Sequence, residues 1–192
     1  MKIKYLLLIT TLLASGPALA EMPRMYFGLA GGVGNVHLDN NTGYFANNTL
    51  DYNVYKAKIG LDILPYLGVE LHGGVRDGEG DKTLRSFYGA FVRGNLPFKD
   101  VNVYALAGGG YLTSHFIKKG SDSVNDNLST VAYGAGIELF GAPNTAVSLE
   151  WVRYNQGKIK EVNGISLPTK VDSSFDTWTI GFVHHFGAPR FR

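Results

Sequence analysis

Leu67-Gly-Val-Glu-Leu-His-Gly-Gly-Val-Arg76 alternates between two kinds of residue. Leu67, Val69, Leu71 and Val75 share one face with Gly73, whereas Gly68, Glu70, His72, Gly74 and Arg76 share the other. Side chains of an extended chain point alternately to opposite faces, so this stretch reads as a β-strand with one apolar and one polar side. The pattern recurs in both directions along the chain. Tyr55, Ala57, Ile59, Leu61 and Ile63 stand against Lys56, Lys58, Gly60 and Asp62. Val131, Tyr133, Ala135, Ile137 and Leu139 stand against Ala132, Gly134, Gly136 and Glu138, and Val147, Leu149 and Trp151 against Ser148 and Glu150. Trp178, Ile180, Phe182 and Phe186 oppose Thr177, Thr179, Gly181 and His185. Three further segments are less regular. Phe27, Leu29 and Val33 mark one face of a glycine-rich stretch, and Leu84, Tyr88, Ala90 and Val92 oppose Arg85, Phe87, Phe91 and Arg93. From Val101 to His115 both faces carry apolar residues, and the pattern leaves that segment without an orientation.

Eight strands result, each near or above the ~9–11 residues that a tilted strand needs to cross a bilayer. Their connections alternate. Short turns are expected around Pro65, around Pro97-Phe98-Lys99 and at 141–145, and longer polar connections at 39–50, 77–82, 117–128 and 157–173. Short turns at one end and long loops at the other are what an up-and-down transmembrane barrel predicts. The expected fold is therefore all-β, an eight-stranded antiparallel up-and-down transmembrane β-barrel.

Charge supports the same reading. The polar faces carry Lys56, Lys58, Arg76, Arg85 and Arg93 against Asp62, Glu70, Glu138 and Glu150, and the middle of the opposite face carries no formal charge. A Lys or Arg facing lipid at mid-membrane costs ~2–4 kcal/mol, which explains the segregation. Eight strands enclose a space that side chains can fill. The expected interior is a structural ion-pair network of Lys56, Lys58, Asp62, Glu70, Arg76, Arg85, Arg93, Glu138 and Glu150. Arg153 is the doubtful residue, near a strand end where it could snorkel toward water. A soluble secreted sandwich or barrel is the competing architecture, with the apolar face turned inward.

The first twenty residues read as an export signal. Lys2 and Lys4 precede an apolar run broken by Gly16 and Pro17, and Ala18-Leu19-Ala20 gives a small-x-small cleavage pattern. The run is shorter than the ~20 residues of a spanning helix. The expected organisation is a signal peptide over 1–20 and one barrel domain over 21–192. Lys2 and Lys4 are the only charges before position 21, so the remaining chain has equal numbers of basic and acidic side chains, 16 each, from totals of 18 and 16. Such a balance offers no basic field for nucleic acid. Hydrophobic residues at 45% and charged residues at 18% exclude a disordered chain. The absence of cysteine excludes disulfides, a thiolate zinc site and a thiol nucleophile.

Several pieces then combine in order: Tyr26-Phe-Gly-Leu-Ala-Gly-Gly, Gly60-Leu-Asp-Ile, Leu67-Gly-Val-Glu-Leu, Val103-Tyr-Ala-Leu-Ala-Gly-Gly-Gly, Tyr133-Gly-Ala-Gly-Ile-Glu-Leu, Leu149-Glu-Trp and Trp178-Thr-Ile-Gly-Phe-Val-His-His-Phe186. In these the chain resembles the small outer-membrane β-barrel superfamily, typified by the membrane domain of outer-membrane protein A and the opacity-protein-like adhesins. The resemblance implies location in a Gram-negative outer membrane. It also implies a terminal strand read as an insertion signal, with Gly181 and Phe186 at the matching positions. The family usually ends on that aromatic, and here Gly187-Ala-Pro-Arg-Phe-Arg192 follows.

Little in the sequence suggests catalysis. His184 and His185 are adjacent in a strand and point to opposite faces, so they cannot share a metal. Ser114 and His115 have the same problem as a catalytic pair, and the His-x-Ser pattern of a rim lipid A deacylase is absent. Glu70 with Arg93, and Glu138 or Glu150 with the lysines of the second segment, read as ion pairs rather than acid–base pairs. Neither Gly31-Gly-Val-Gly34 nor Gly108-Gly-Gly110 opens a helix, so neither is a phosphate loop. No cofactor and no metal are expected. The candidate interaction residues lie in the long connections: Tyr44, Phe45, Lys118, Lys119, Lys158 and Lys160. Expected partners are outer-membrane lipid and lipopolysaccharide, the barrel-assembly machinery, and host surface molecules. The expected function is a non-enzymatic envelope barrel with exposed loops for surface interaction or adhesion and no open channel. The competing readings are a rim enzyme on lipid A, a narrow pore, and a soluble secreted binder.

Overall fold

Each alternating segment forms a strand in the computed structural model, which describes residues 23–39, 49–78, 81–118, 121–162 and 165–187. The strands are β1 (Arg24–Asp39), β2 (Thr49–Leu64), β3 (Leu67–Gly78), β4 (Asp81–Pro97), β5 (Val101–Lys118), β6 (Ser121–Ala142), β7 (Thr145–Val162) and β8 (Ile165–His185). Every strand pairs antiparallel with its sequence neighbours, and β1 pairs with β8 to close the barrel. Closure removes both free edges, so within the barrel wall every strand has a partner on each side for its backbone N–H and C=O groups. A bilayer core, which offers no water, requires this. At the seam Phe186 N–H donates to the Met25 carbonyl at 2.8 Å. Short turns close the same end: Phe98 N–H donates to Val101 O at 2.7 Å and His185 N–H to Asn144 O at 2.7 Å.

The apolar faces point outward. Leu29, Leu71, Val131, Ile180 and Phe182 are all more than half exposed, and Lys58, Glu70, Arg93, Glu138 and Glu150 are buried inside. This arrangement overturns the soluble alternative. Apolar burial stabilises by ~25 cal/mol per Å², and a wall this apolar forgoes that gain unless lipid covers it. The ambiguous segment also receives an orientation. In β5, Asn102, Tyr104, Leu106 and Leu112 point inward, and Val103, Ala105, Ala107 and Tyr111 point outward.

Three of the expected long connections are corrected: most of 77–82 is strand, with β3 running to Gly78 and β4 starting at Asp81. Most of 117–128 and 157–173 is strand: β5 and β6 pair up to Lys118↔Ser121, and β7 and β8 pair up to Val162↔Ile165. In both, the hydrogen-bond ladder between the two strands continues past the last pairing to their other neighbours, where the sequence has lost its alternation, so each forms a two-stranded ribbon beyond the barrel. The connections at 40–48, 79–80, 119–120 and 163–164 lie outside the described residues, with Tyr44, Phe45 and Lys119 among them.

Candidate functional site

The interior has two layers. The one nearer the short turns is charged. Arg93 in β4 donates from Nη1 to Glu70 Oε2 of β3 at 2.7 Å, and from Nη2 to Glu138 Oε1 of β6 at 2.7 Å. Its Nε donates to Asn95 Oδ1 at 2.9 Å, and Asn95 passes a hydrogen bond to Asp62 at 2.9 Å. Asn102 donates to Glu138 Oε2 at 3.2 Å. The guanidinium also lies over the rings of Tyr104, at 3.8 Å, and Tyr26, at 4.8 Å. A second centre gathers on Glu150 of β7. Lys56 pairs with its Oε1, and Lys58 and Tyr104 donate to Oε2 at 3.0 and 2.7 Å. His72 pairs with Glu70, and Tyr26 donates to Glu70 at 2.6 Å. All these side chains are buried. Isolated charges there would cost several kcal/mol each in lost hydration, so the mutual pairing is what allows them to remain.

Six of the nine residues assigned to the interior network, Lys56, Lys58, Glu70, Arg93, Glu138 and Glu150, meet in this layer. Asp62 joins through Asn95. Arg76 lies apart, nearer the opposite end, with its guanidinium 4.9 Å from the Tyr52 ring and 5.0 Å from the Phe175 ring. Arg85 is paired along the backbone with Arg76, and its side chain lies outside those described. Sequence reasoning missed Tyr26, Tyr104, Asn95 and Asn102; His72 and His185 were read on the polar faces but not assigned to the network. For Tyr26, opposite the face of Phe27 and Leu29, a tyrosine on a polar face was the available signal; Tyr104 and Asn102 lie in the segment without an orientation.

Glu70, His72 and Glu150 bring ligand atoms within 4.8 Å of one another. Arg93, Lys56 and Lys58 already sit on these carboxylates, so a metal ion would have to displace fixed cations of the protein. The same pairing argues against an acid–base role, because each carboxylate is held by two or more donors.

The second layer corrects the expectation that charge fills the barrel. Nearer the long connections, the interior is dominated by Phe87, Phe91, Tyr154 and Phe175, joined by Val54, Leu106, Leu112, Ala132 and Val152, with Thr130, Thr177 and Arg76 the buried polar residues beside them. Tyr154 and Phe175 stack with centroids 6.0 Å apart, and Phe87 meets both edge-on at 5.7 and 5.9 Å. Glycines make room for the rings. A Cβ at Gly74 would overlap the Phe87 ring directly across the β3–β4 ladder. Tyr26 lies over Gly60 and Tyr104 over Gly136 in the same way.

The outer wall carries one charged pair that the pattern did not suggest. Arg153 of β7 holds Asp176 of β8 through two hydrogen bonds, Nε to Oδ1 at 2.7 Å and Nη2 to Oδ2 at 2.8 Å. His37 Nε2 lies 3.7 Å from the same carboxylate. Trp151, Trp178 and Tyr133 adjoin, with Tyr133–Trp151 centroids 5.8 Å apart and Trp151–Trp178 centroids 6.4 Å apart. Such a band of aromatics suits a membrane–water interface, where an ion pair is tolerated. At the other end His184 is exposed, with Nδ1 3.0 Å from Thr145 Oγ1, while His185 is enclosed 3.5 Å from Glu138. Gly181 and Phe186, the expected insertion signal, lie at the β1–β8 seam, with Gly181 buried and Phe186 exposed. Lys118 ends β5, and Lys158 and Lys160 lie in the β7 part of the second ribbon, with Lys158 opposite Asp172.

A closed antiparallel barrel with an apolar wall, an aromatic interfacial band and an ion-paired interior defines a transmembrane β-barrel. The family model for the outer membrane protein beta-barrel domain matches residues 6–186, and the chain belongs to that family. It is an outer-membrane protein. Among curated proteins none matches the sequence. Solved structures share the fold. Neisserial surface protein A is 12% identical with a TM-score of 0.63, covering 86% of this chain and 100% of its own. Ail, the attachment invasion locus protein of Yersinia pestis, solved in complex with the heparin analogue sucrose octasulfate, is 16% identical with a TM-score of 0.58 and the same coverage. The N-terminal β-barrel domain of Pseudomonas aeruginosa OprF is 14% identical with a TM-score of 0.52, covering 83% of this chain and 97% of its own.

Proposed function

We propose that this protein is a closed, non-enzymatic scaffold of the outer membrane. It holds two β-ribbons and the 40–48 connection outside the cell for contact with host surface molecules. The observation that carries the reading is the extension of β5–β6 and β7–β8 well past the barrel at the end opposite the short turns. An even strand count puts both termini at the short-turn end, and export followed by insertion makes that end periplasmic. Residues 1–20 serve as the export signal. In support, the first strand of the barrel starts at Arg24, after that segment. The β8 strand, with Gly181 and Phe186, serves as the feature read by the assembly machinery.

Lysines along 117–128 and 157–173 give the proposed contact its chemistry. Lys118, Lys119, Lys158 and Lys160 supply positive charge suited to sulfated or phosphorylated polyanions, which include host glycosaminoglycans and the lipopolysaccharide surface. The heparin analogue bound by Ail favours the first of these. The test is binding of cells displaying the protein to immobilised heparin, compared with cells displaying a variant with all four lysines changed to Gln and a second with 40–48 replaced by Gly-Ser. The lysine variant should migrate as a folded barrel and lose salt-sensitive binding. Undiminished binding by both variants would reject the loop reading.

A further inference from the structure

The two interior layers differ in what they do to water. A layer of paired charges leaves polar atoms that water can approach, whereas an apolar constriction expels water and so blocks ions. Every strand contributes to the apolar layer. Val54 of β2, Phe87 and Phe91 of β4, Leu106 and Leu112 of β5, Ala132 of β6, Val152 and Tyr154 of β7 and Phe175 of β8 are all nearly or wholly buried. The two remaining strands supply glycines against which rings rest. At Gly34 of β1 a Cβ would come within 2.6 Å of the Phe175 ring, and at Gly74 of β3 it would overlap the Phe87 ring. Gly89 of β4 meets Phe91 in the same manner. The rings thus reach the backbone of the wall rather than leaving a gap beside it. Arg76 closes the outer side of this layer, with its guanidinium against Phe175 and Tyr52.

We infer that the apolar layer, not the ion-pair layer, is the barrier that seals this barrel. The ion pairs fix the shape of the inner half, and their loss alone opens no path, because the rings above them remain seated. The inference rests on the closed-scaffold reading and names the part of the interior responsible for it.

Planar-bilayer recording of the full-length barrel tests both, and each variant is first checked for heat-modifiable migration as a folded barrel. The wild type tests the scaffold reading. It should give no discrete conductance steps, and steady conductance would overturn that reading and this inference together. The variants then test the assignment of the barrier. Phe87→Ala, Tyr154→Ala and Phe175→Ala, each alone, open a gap in the apolar layer and should give discrete steps. Lys56→Met with Glu150→Gln removes a pair in the charged layer and should remain silent. Should none of the alanine variants fold, Leu112→Asn places a polar group of the same branched shape in that layer and should give the same steps. A conducting ion-pair variant, or silent apolar-layer variants in a folded barrel, would overturn the inference while leaving the silent wild type as support for a closed scaffold.

Discussion

One methyl group added at Gly60 distinguishes a packed interior from a loosely filled one. Replacing glycine by alanine in a strand, where the backbone allows it, normally stabilises by ~0.5–1 kcal/mol through chain entropy. At Gly60 the new Cβ would fall within the Tyr26 ring. The ring cannot swing aside freely, because Tyr26 donates to Glu70 at 2.6 Å and packs between Arg93, at 4.8 Å, and His185, at 5.1 Å. Overpacking typically costs ~1–3 kcal/mol, and a strained or broken hydrogen bond to a carboxylate ~1.5–3 kcal/mol. Set against the entropic gain, Gly60→Ala should destabilise by about 2–5 kcal/mol. The assay is urea-dependent folding into lipid bilayers, followed by heat-modifiable gel migration. Gly94→Ala is the control, since nothing lies within 4 Å of its Cβ position; it should be neutral or slightly stabilising. Combining Gly60→Ala with Tyr26→Ala removes the collision, so the double variant should be more stable than the sum of the single effects by ~1–3 kcal/mol. Additivity within ~0.5 kcal/mol, or a Gly60→Ala as benign as Gly94→Ala, would refute the reasoning.

Three other outcomes follow from the charge distribution. Leu71→Arg on the outer wall should cost ~2–4 kcal/mol, whereas Tyr66→Arg at the short-turn rim should cost ~0–1 kcal/mol by the same folding titration. Glu150→Gln leaves both Lys56 and Lys58 without their carboxylate and should cost ~3–5 kcal/mol, and adding Lys56→Met should recover part of that loss. Arg153→Met exposes the Asp176 carboxylate to an apolar wall and should cost ~1–3 kcal/mol, whereas Arg153→Met with Asp176→Asn should restore most of the stability in the same urea titration.

Strand number, pairing order and the outward apolar face were legible because lipid imposes one chemistry on one face along most of the wall. Leu67 to Arg76 shows it best: each exposed position is apolar or glycine. Val101 to His115 was illegible for the opposite reason. Leu106 and Leu112 belong to the apolar layer inside, so that strand is apolar on both sides and alternation carries no information. The ribbons read as loops because their sequence loses the period-two alternation, although the ladder between the paired strands continues. Asp176 was missed because its partner is fixed by the β7–β8 ladder rather than by local sequence, Arg153 lying 23 residues earlier. Of the interior pairs, Glu70 with Arg93 and Glu150 with the lysines of β2 were legible, whereas the partner of Glu138, Arg93 rather than a lysine, was not. Glu70 lies on the strand next to Arg93, but the contact from Arg93 to Glu138 of β6 depends on reach across the lumen, and in the structure Arg93 meets both.

The rings seated over glycines also constrain how the sheet can be assembled. A slip of one residue between neighbouring strands turns every side chain to the wrong face and is rejected by lipid at once. A slip of two residues preserves inside and outside, so the apolar wall cannot detect it. The glycines can. Two residues out of step, Tyr26 would face Lys58 or Asp62 instead of Gly60, and Phe87 would face His72 or Arg76 instead of Gly74. The accumulated stagger of eight such pairings determines the tilt of the strands and hence the girth of a barrel. Tyr26 over Gly60, Phe87 over Gly74 and Tyr104 over Gly136 therefore work as ratchet teeth along three of those pairings, and through them a few absent side chains help to set the diameter of the whole cylinder.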